Sequence, residues 1–181
     1  MSDLARLARA WATCPDFLEP RLSPDGRWAA WTWLGVTEAG NVWLAPTDGS
    51  APPRRLTDEP DHTHVRAFSP DGKRLLLSQS EGSSEHDRLF LLDIESGAQQ
   101  PVTPKQDDHY VFGGRFTADG KTLLYTASWD DRLGKAIEGQ CIYLHDLGSG
   151  ERRIVSTAES LDDQAPEFDE STIDRSARIV G

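Results

Sequence analysis

Histidine and aspartate side chains are concentrated in the polar loops of this sequence, where they could bind a ligand, transfer protons or hold a metal ion. Four of the five histidines lie in these loops. The candidate binding residues are His62, His64, His86, Asp107, Asp108, His109, Trp129, Asp130 and Asp131. The alternative interpretation of the same residues is a solvated acidic edge.

The spacing of these residues limits the chemistry that they could perform. His62 and His64 stand at i and i+2, so they would project together from an extended strand, with Asp61 just before them. A third and a fourth ligand are not evident, so we expect neither a metal site nor a cofactor. His145 lies in the strand-like stretch YLHDL, and we expect it to be packed or at a rim rather than catalytic.

Charge and composition narrow the class of protein. The chain of 181 residues has 30 acidic and 19 basic side chains, a formal net charge of −11, which disfavours nucleic acid as a partner. No stretch of the sequence is typical of a signal peptide or a membrane span. We therefore expect a cytoplasmic protein without a membrane partner, in which Cys14 and Cys141 are free, buried or half-buried thiols.

An internal repeat organises most of the chain. The apolar residue before each copy of a recurring turn is Leu22, Phe68, Phe116 and, in a degraded copy, Phe168, at steps of 46, 48 and 52 positions. Before the repeat, apolar residues at helical spacing predict a helical segment over residues 1–16.

The turn itself is typical of a tight hairpin between antiparallel strands. Proline fixes φ at the second turn position, aspartate favours the next, and glycine accepts the left-handed conformation that follows. The turn residues to which we assign this structural role are Pro24, Asp25, Gly26, Pro70, Asp71, Gly72, Asp119 and Gly120.

Each copy contains four short strands, and the middle strands are apolar on successive residues, which predicts burial on both faces. The sequence therefore predicts an all-β fold, a partial β-propeller of four-stranded antiparallel blades. We expect blades over residues 17–60, 61–106 and 107–158, and the start of a fourth over 159–181, where DEST replaces SPDG. An incomplete ring would expose an apolar blade face at each end. We assign Trp28, Trp31, Trp33 and Trp43 to the inter-blade core.

Blade connectivity predicts which loops lie together. The first and third turns of a blade share one rim, and the second turn and the link to the next blade share the opposite rim. The SPDG turns therefore define one end, here the turn rim, and the candidate binding residues define the other, here the loop rim. Loops at one rim of a propeller are where we expect a ligand or partner to bind.

The repeat SPDGK or SPDGR, followed by an apolar strand and LD…G, resembles that of TolB-like proteins and of prolyl oligopeptidase-family serine peptidases. The stretches DDHYVFGGRFTADGKTLLYTAS and EGQCIYLHDLGSGERRIV are similar to the propellers of acylaminoacyl-peptidase-like members. The resemblance implies a propeller that controls access to an α/β-hydrolase domain and so meets peptide substrates.

The catalytic part that this resemblance implies has no counterpart in the sequence. A G-x-S-x-G motif does not occur, so no catalytic residue can be assigned. We therefore expect a non-catalytic, N-terminal propeller portion whose partners are further blades and a hydrolase domain, or another subunit. The alternative is a stand-alone TolB-like interaction scaffold that is completed by oligomerisation.

Overall fold

The computed structural model describes residues 4–6, 14–80, 82, 84, 86–105 and 108–157. Residues 4–6 are helical, whereas residues 14 and 15 are irregular and a strand begins at Asp16. The rest of the expected N-terminal helix, the candidate residue Asp107 and the expected start of a fourth blade lie outside the described residues.

Twelve strands form three sheets, and each sheet is a blade of four consecutive antiparallel strands. Blade 1 contains β1 Asp16–Leu22, β2 Trp28–Leu34, β3 Asn41–Pro46 and β4 Arg54–Arg55. Blade 2 contains β5 Thr63–Phe68, β6 Arg74–Gln79, β7 Arg88–Asp93 and β8 Gln99–Pro101. Blade 3 contains β9 Val111–Phe116, β10 Thr122–Asp130, β11 Lys135–Asp146 and β12 Arg152–Thr157.

The repeated turn has the same hydrogen bonds in each blade. In blade 2, Ser69 Oγ donates to Asp71 Oδ1 (2.5 Å) and accepts from the backbone N–H of Arg74 (2.9 Å). Asp71 Oδ1 also accepts from the N–H of Lys73 (3.1 Å), and Gly72 has φ +69°. Equivalent bonds join Ser23 to Asp25 and Thr117 to Asp119. The side chain of the serine or threonine at the first position therefore closes the turn together with the aspartate.

The first strand of every blade lies at a common inner edge. Strand β5 packs against both β1 and β9, and these three strands are edge strands of their sheets. Each of them has a bulge before its last two residues, where the register with the second strand shifts. A bulge re-aims the side chains beside it, so the polar residues of these segments can face the inner edge.

Two apolar clusters hold the blades together. Between blades 1 and 2, Ala30, Val42 and Leu44 pack with Val65 and Leu77. Between blades 2 and 3, the buried side chains are Leu76, Leu89, Leu91, Val111, Leu123, Tyr125, Ala127, Cys141 and Tyr143. Full burial of one such side chain contributes about 1.5–3 kcal/mol. Both faces of blade 2 are therefore covered, as its unbroken apolar runs predicted.

Equivalent positions of the second strands show where a neighbouring blade is present. Ala30 and Leu76 are 0% exposed because each faces the following blade, whereas Leu124, at the same place in blade 3, is 41% exposed. The all-β, propeller-like fold of three four-stranded blades is confirmed, and none of the three sheets closes on itself.

Three of the four tryptophans of blade 1 lie on the face of that sheet opposite blade 2: Trp31, Trp33 and Trp43. Trp31 alternates with Ala30, which faces blade 2, and it packs against Phe17 (ring centroids 5.3 Å apart). Trp33 also contacts Phe17 and lies 5.1 Å from Trp43. These three tryptophans are therefore not part of the core between blades 1 and 2, and Trp28 is partly exposed.

Two other expectations concern individual residues. Cys141 is buried as expected, but Cys14 is exposed, because it precedes β1 outside the blade cores. His145 is packed near Tyr125 (ring centroids 6.2 Å), and burial lowers its pKa.

Within the described part of the chain, no helix has the length and apolar character needed to cross a bilayer.

Candidate binding site at the loop rim

Blade connectivity brings the candidate residues to the ends of strands at one rim. His62 and His64 lie at the beginning of β5, His86 precedes β7, and His109 precedes β9. Trp129 and Asp131 lie where β10 turns into β11. The described candidates form three groups. The first lies at the junction of blades 1 and 2, the second between blades 2 and 3, and the third at the hairpin between β10 and β11.

The first group lies where blade 1 meets blade 2. His62 is exposed, and its Nδ1 accepts a hydrogen bond from the backbone N–H of Gly40 (2.8 Å). The ring of His64 lies 6.4 Å from that of His62, and its Nδ1 is 3.5 Å from Glu19 Oε2. His62 is thus fixed by the backbone of blade 1, and His64 points toward a carboxylate of β1.

His64 adjoins a charged network that links the same two blades. Arg66 donates to Glu19 Oε1 (2.5 Å) and to Ser78 Oγ (2.9 Å), and its Nη2 lies 3.6 Å from Asp87 Oδ2. Ser78 Oγ donates in turn to Asp87 (2.7 Å). Glu19 adopts φ +52°, which is unusual for a residue other than glycine. These contacts hold the charged groups of Glu19, Arg66 and Asp87 in place at the inner edge, beside His62 and His64.

The protonation of His64 reflects this environment. Burial lowers its pKa, the Glu19 carboxylate opposes this shift, and the Arg66 guanidinium adds to it. The net effect is a pKa below the usual value of 6.5. At neutral pH the His64 ring is therefore uncharged, so it can both donate and accept a hydrogen bond.

The second group is an aromatic stack between blades 2 and 3. The ring of His86 lies 4.6 Å from that of Tyr110, which stacks on Phe112 at 5.6 Å and an interplanar angle of 11°. Tyr110 and Phe112 are both partly exposed. The backbone of Tyr110 is held against β10 by two hydrogen bonds with Ser128: its N–H donates to Ser128 Oγ (2.8 Å), and its carbonyl accepts from the N–H of Ser128 (2.9 Å).

The third group lies on the β10–β11 hairpin. The ring of His109 packs on Trp129 (4.9 Å), whose Nε1–H donates to Asp131 Oδ1 (3.1 Å). His109 Nδ1 also lies 2.7 Å from Asp108 Oδ1. Tyr143 anchors the hairpin, because its hydroxyl donates to Trp129 O (2.9 Å) and accepts from the N–H of Asp131 (3.1 Å). Burial raises the pKa of Tyr143 to about 12, so it stays protonated.

Asp130 differs from its neighbours because its side chain is buried. It forms an ion pair with Arg132 (Nη2 to Oδ2, 2.6 Å), and it accepts from the backbone N–H of Arg132 (2.8 Å). The hydrogen bond from Arg132 lowers the pKa of Asp130 to about 2. In this position Asp130 shapes the hairpin.

The structure also reveals residues that the sequence analysis did not select. Glu19, Arg66, Asp87 and Tyr110 contact the candidate histidines or the network beside them. A charged residue in an otherwise apolar innermost strand, as in HVRAF, is the sequence signal that could have identified Arg66. Among the described residues, no cluster of three or more His, Cys, Asp or Glu side chains could hold a metal ion.

Curated relatives of this chain are peptidases. It is 26% identical to a dipeptidyl aminopeptidase BIII of Pseudoxanthomonas mexicana over 149 residues, which covers 78% of this chain and 20% of that protein. It is 28% identical to the peptidase YuxL of Bacillus subtilis over 144 residues, which covers 61% of this chain and 22% of the relative. The chain thus spans about a fifth of the length of these relatives. No family model matches the sequence.

Solved structures with the same fold include a TolB-type protein, oligogalacturonate lyases and a prolyl endopeptidase. A TolB-type protein from Agrobacterium tumefaciens superposes with a TM-score of 0.57 at 14% identity, over 80% of this chain and 50% of the other. A prolyl endopeptidase superposes with a TM-score of 0.57 at 20% identity, over 84% of this chain and 23% of the other. The resemblance to TolB-like propellers and to the propeller portion of peptidases is confirmed.

Proposed function

We propose that this chain is a non-catalytic propeller module of a serine peptidase, and that its loop rim binds peptides or controls their access to a hydrolase domain. The similarity to two peptidases is the observation that supports this function most strongly. The hydrolase domain, further blades or another subunit would then be its partners.

The chemistry of the loop rim suits a peptide. The His86, Tyr110 and Phe112 stack offers aromatic surface to apolar side chains, and such rings give contact area at a low cost in conformational entropy. His62 and the neutral His64 offer hydrogen-bonding atoms for main-chain groups. Aromatic surface combined with a few fixed polar groups is the usual composition of a ligand site.

A non-catalytic role agrees with the residues present at this rim. The sequence has no G-x-S-x-G motif, and the carboxylates Asp130 and Asp131 are engaged by Arg132 and Arg152. We therefore assign the hydrolytic step to a hydrolase domain outside these blades.

Two measurements on the purified 181-residue chain test this function. We expect no turnover of an acyl-peptide or a p-nitrophenyl ester, and measurable binding of an acetylated, C-terminally amidated hexapeptide that contains phenylalanine. Tyr110→Ala should weaken that binding about fivefold, because the backbone bonds to Ser128 remain while the stacked ring is lost.

Val155→Ala is the matched control, because Val155 is an exposed apolar residue on β12, away from the stack. Peptide binding that both substitutions weaken equally would contradict a site at the loop rim. Turnover by the pure chain would overturn the non-catalytic assignment.

One observation favours the alternative, a stand-alone scaffold that is completed by oligomerisation. Phe17 on blade 1 and Leu124 and Val155 on blade 3 are all at least 41% exposed, on the two faces against which no other described blade packs. A monodisperse oligomer in light scattering would favour this scaffold, whereas a polydisperse sample would argue against it.

A further inference from the structure

A cavity of about 350 Å³ lies at the inner edge, at the end of the first strands that leads into the SPDG turns. The last residues of β1, β5 and β9 form it, with the proline of the first turn beside them. The candidate histidines lie at the beginning of these strands, so the cavity is at the opposite end of the inner edge. We call it the turn-rim cavity. Its principal lining residues are Arg21, Leu22, Arg66, Phe68, Gly114 and Arg115.

Each blade contributes one arginine to the turn-rim cavity, but the charges of these arginines are not equally compensated. Arg66 is paired with Glu19 and lies near Asp87, so its charge is offset. Within the described residues, the side chain of Arg21 donates to two backbone carbonyls, those of Arg66 (2.9 Å) and Pro20 (3.0 Å), and to no carboxylate. The side chain of Arg115 forms no hydrogen bond or ion pair with the described residues, although its backbone pairs with β10.

The position of Arg21 is therefore fixed while its charge remains uncompensated. Its Nε and Nη1 are held by the two carbonyls, which orient the planar guanidinium. Arg21 and Arg115 are both exposed, and their two positive charges line one cavity in a chain whose net charge is −11. Two guanidinium groups at one cavity are suited to a small anion.

The bulge of β9 contributes two glycines to the lining of the cavity. Gly113 and Gly114 have φ values of +69° and +131°, and a Cβ at Gly114 would collide with Leu76 Cδ2. A side chain can therefore not replace the hydrogen at residue 114 without a shift of the blade core. A Cβ at Gly113 would meet no atom within 4 Å, so this residue of the lining borders open space.

The apolar part of the lining narrows the class of ligand. Leu22 is 66% exposed beside the arginines, and Phe68 lies below it. A single carboxylate that carries an apolar chain can contact both parts of this lining. A polyphosphate or a nucleic acid could not use the apolar part and would be repelled by the acidic surface.

We propose that the turn-rim cavity binds a carboxylate group of a peptide through Arg21 and Arg115. The carboxylate can belong to the C-terminus or to an acidic side chain, and both present the same planar pair of oxygens to a guanidinium. This site goes beyond the proposed function, because it lies at the other end of the inner edge from the loop rim.

Three peptides and isothermal titration calorimetry on the 181-residue chain test the proposal. Acetyl-Ala-Ala-Ala has a terminal carboxylate, acetyl-Ala-Glu-Ala-amide has a side-chain carboxylate, and acetyl-Ala-Ala-Ala-amide has neither. We expect at least one carboxylate peptide to bind roughly tenfold to a hundredfold more tightly than the peptide without a carboxylate. Comparison of the first two peptides identifies the source of the carboxylate.

Arg115→Gln should remove most of this difference, and Arg21→Gln should reduce it. The side chain of Arg115 is exposed and forms no hydrogen bond or ion pair with the described residues, so its replacement leaves the fold intact, which circular dichroism would verify. Arg153→Gln is the matched control, because Arg153 is an exposed arginine of the same blade on the outer strand β12. We expect this control to bind like the unaltered chain.

Equal affinities for all three peptides, or equal losses in Arg115→Gln and Arg153→Gln, would overturn the proposal. Tyr110→Ala separates this site from the loop rim. Loss of carboxylate-dependent binding in Tyr110→Ala with no loss in Arg115→Gln would place the peptide at the loop rim, which would overturn the turn-rim site and leave the proposed function standing.

Discussion

Blades 1 and 2 are joined by hydrogen bonds as well as by apolar packing, whereas blades 2 and 3 are joined mainly by apolar side chains. At the first junction, Thr32 Oγ1 donates to Thr63 O (2.9 Å) and accepts from the N–H of Val65 (3.2 Å). The bonds of Arg66 to Glu19 and of Arg21 to the Arg66 carbonyl cross the same junction.

The second junction depends on the shape of its side chains. Leu76 of blade 2 enters the space that Gly114 leaves open, and the stacked rings of Tyr125 and Tyr143 (5.4 Å) cover the same core. One cross-blade bond at this junction, from Arg74 Nη2 to the carbonyl of Gly120, is long at 3.4 Å.

This difference separates two ways to fix the register of neighbouring blades. Hydrogen bonds are directional, and a buried donor or acceptor that loses its partner raises the free energy of the folded state. The polar junction therefore favours one relative position of blades 1 and 2. An apolar junction gains its specificity from close packing, which fails when a side chain is removed. The repeat supplies matched positions at which each mechanism can be tested.

Leu76→Ala should produce the largest effect, because it empties the apolar junction at a fully buried position. We expect a loss of about 2–5 kcal/mol in the free energy of unfolding. Urea denaturation followed by tryptophan fluorescence measures it.

Leu124→Ala is the control at the equivalent position of blade 3, where the side chain is 41% exposed. We expect it to cost about 1 kcal/mol or less. Equal losses at both positions would mean that the second junction is not a packed core.

Thr32→Val should have an intermediate effect, because it keeps the shape of the side chain and removes the cross-blade hydroxyl. The carbonyl of Thr63 and the N–H of Val65 would lose this partner, for an expected cost of about 1–3 kcal/mol. The free energy of unfolding in urea is again the measurement.

Thr126→Val changes the equivalent threonine of blade 3, which faces no neighbouring blade in the described structure. Its expected effect is within about 0.5 kcal/mol. A neutral Thr32→Val would show that the hydrogen bonds across the first junction add nothing to its packing.

Acid should weaken both junctions alike, because the same aspartate turn lies beside each of them. The hydrogen bond from Ser23 lowers the pKa of Asp25 from 3.8 to about 2, and Asp71 and Asp119 shift in the same direction. A carboxylate whose pKa is lower in the folded than in the unfolded state stabilises the fold at pH values above its pKa in the unfolded state. That contribution is lost as the pH falls from about 4 toward 2.

Asp25→Asn should therefore be less stable than the parent at pH 7 and lose less stability on acidification, in melts at pH 7, 4 and 3. This is the smallest expected effect, because Asp25 is exposed to solvent. Parallel acid profiles for the two chains would show that the carboxylate of Asp25 does not stabilise its turn.

The turns and strands could be predicted from the sequence because their causes are local. Pro70 and Gly72 specify the hairpin by their own backbone preferences, whatever the neighbouring blades do. The direction in which Trp31 faces could not be predicted, because an apolar run on both faces of a strand has no alternation to identify the inner face.

Connectivity alone placed the candidate histidines near one another at the loop rim, but it could not pair Arg66 with Glu19. These two residues are 47 positions apart, and the bulge of β5 that aims Arg66 at the inner edge has no signature in the sequence. The turn-rim cavity was missed for the same reason, since it depends on bulges in three different strands.

The turns of successive blades also touch one another. Pro24 lies over Gly72, with 3.8 Å from its Cδ to the place of a Cβ, and Pro70 lies over Gly120 in the same way at 3.3 Å. The turns of blades 1 and 2 thus each present a proline to the blade that follows, and the turns of blades 2 and 3 each present a glycine to the blade that precedes. In blade 3, Ala118 stands at the proline position. Because the turns of blades 1 and 2 carry both halves of this joint, a duplicate of either blade could enter the array without a compensating change at the rim. Propellers with different numbers of blades can thus arise by gene duplication from one such unit.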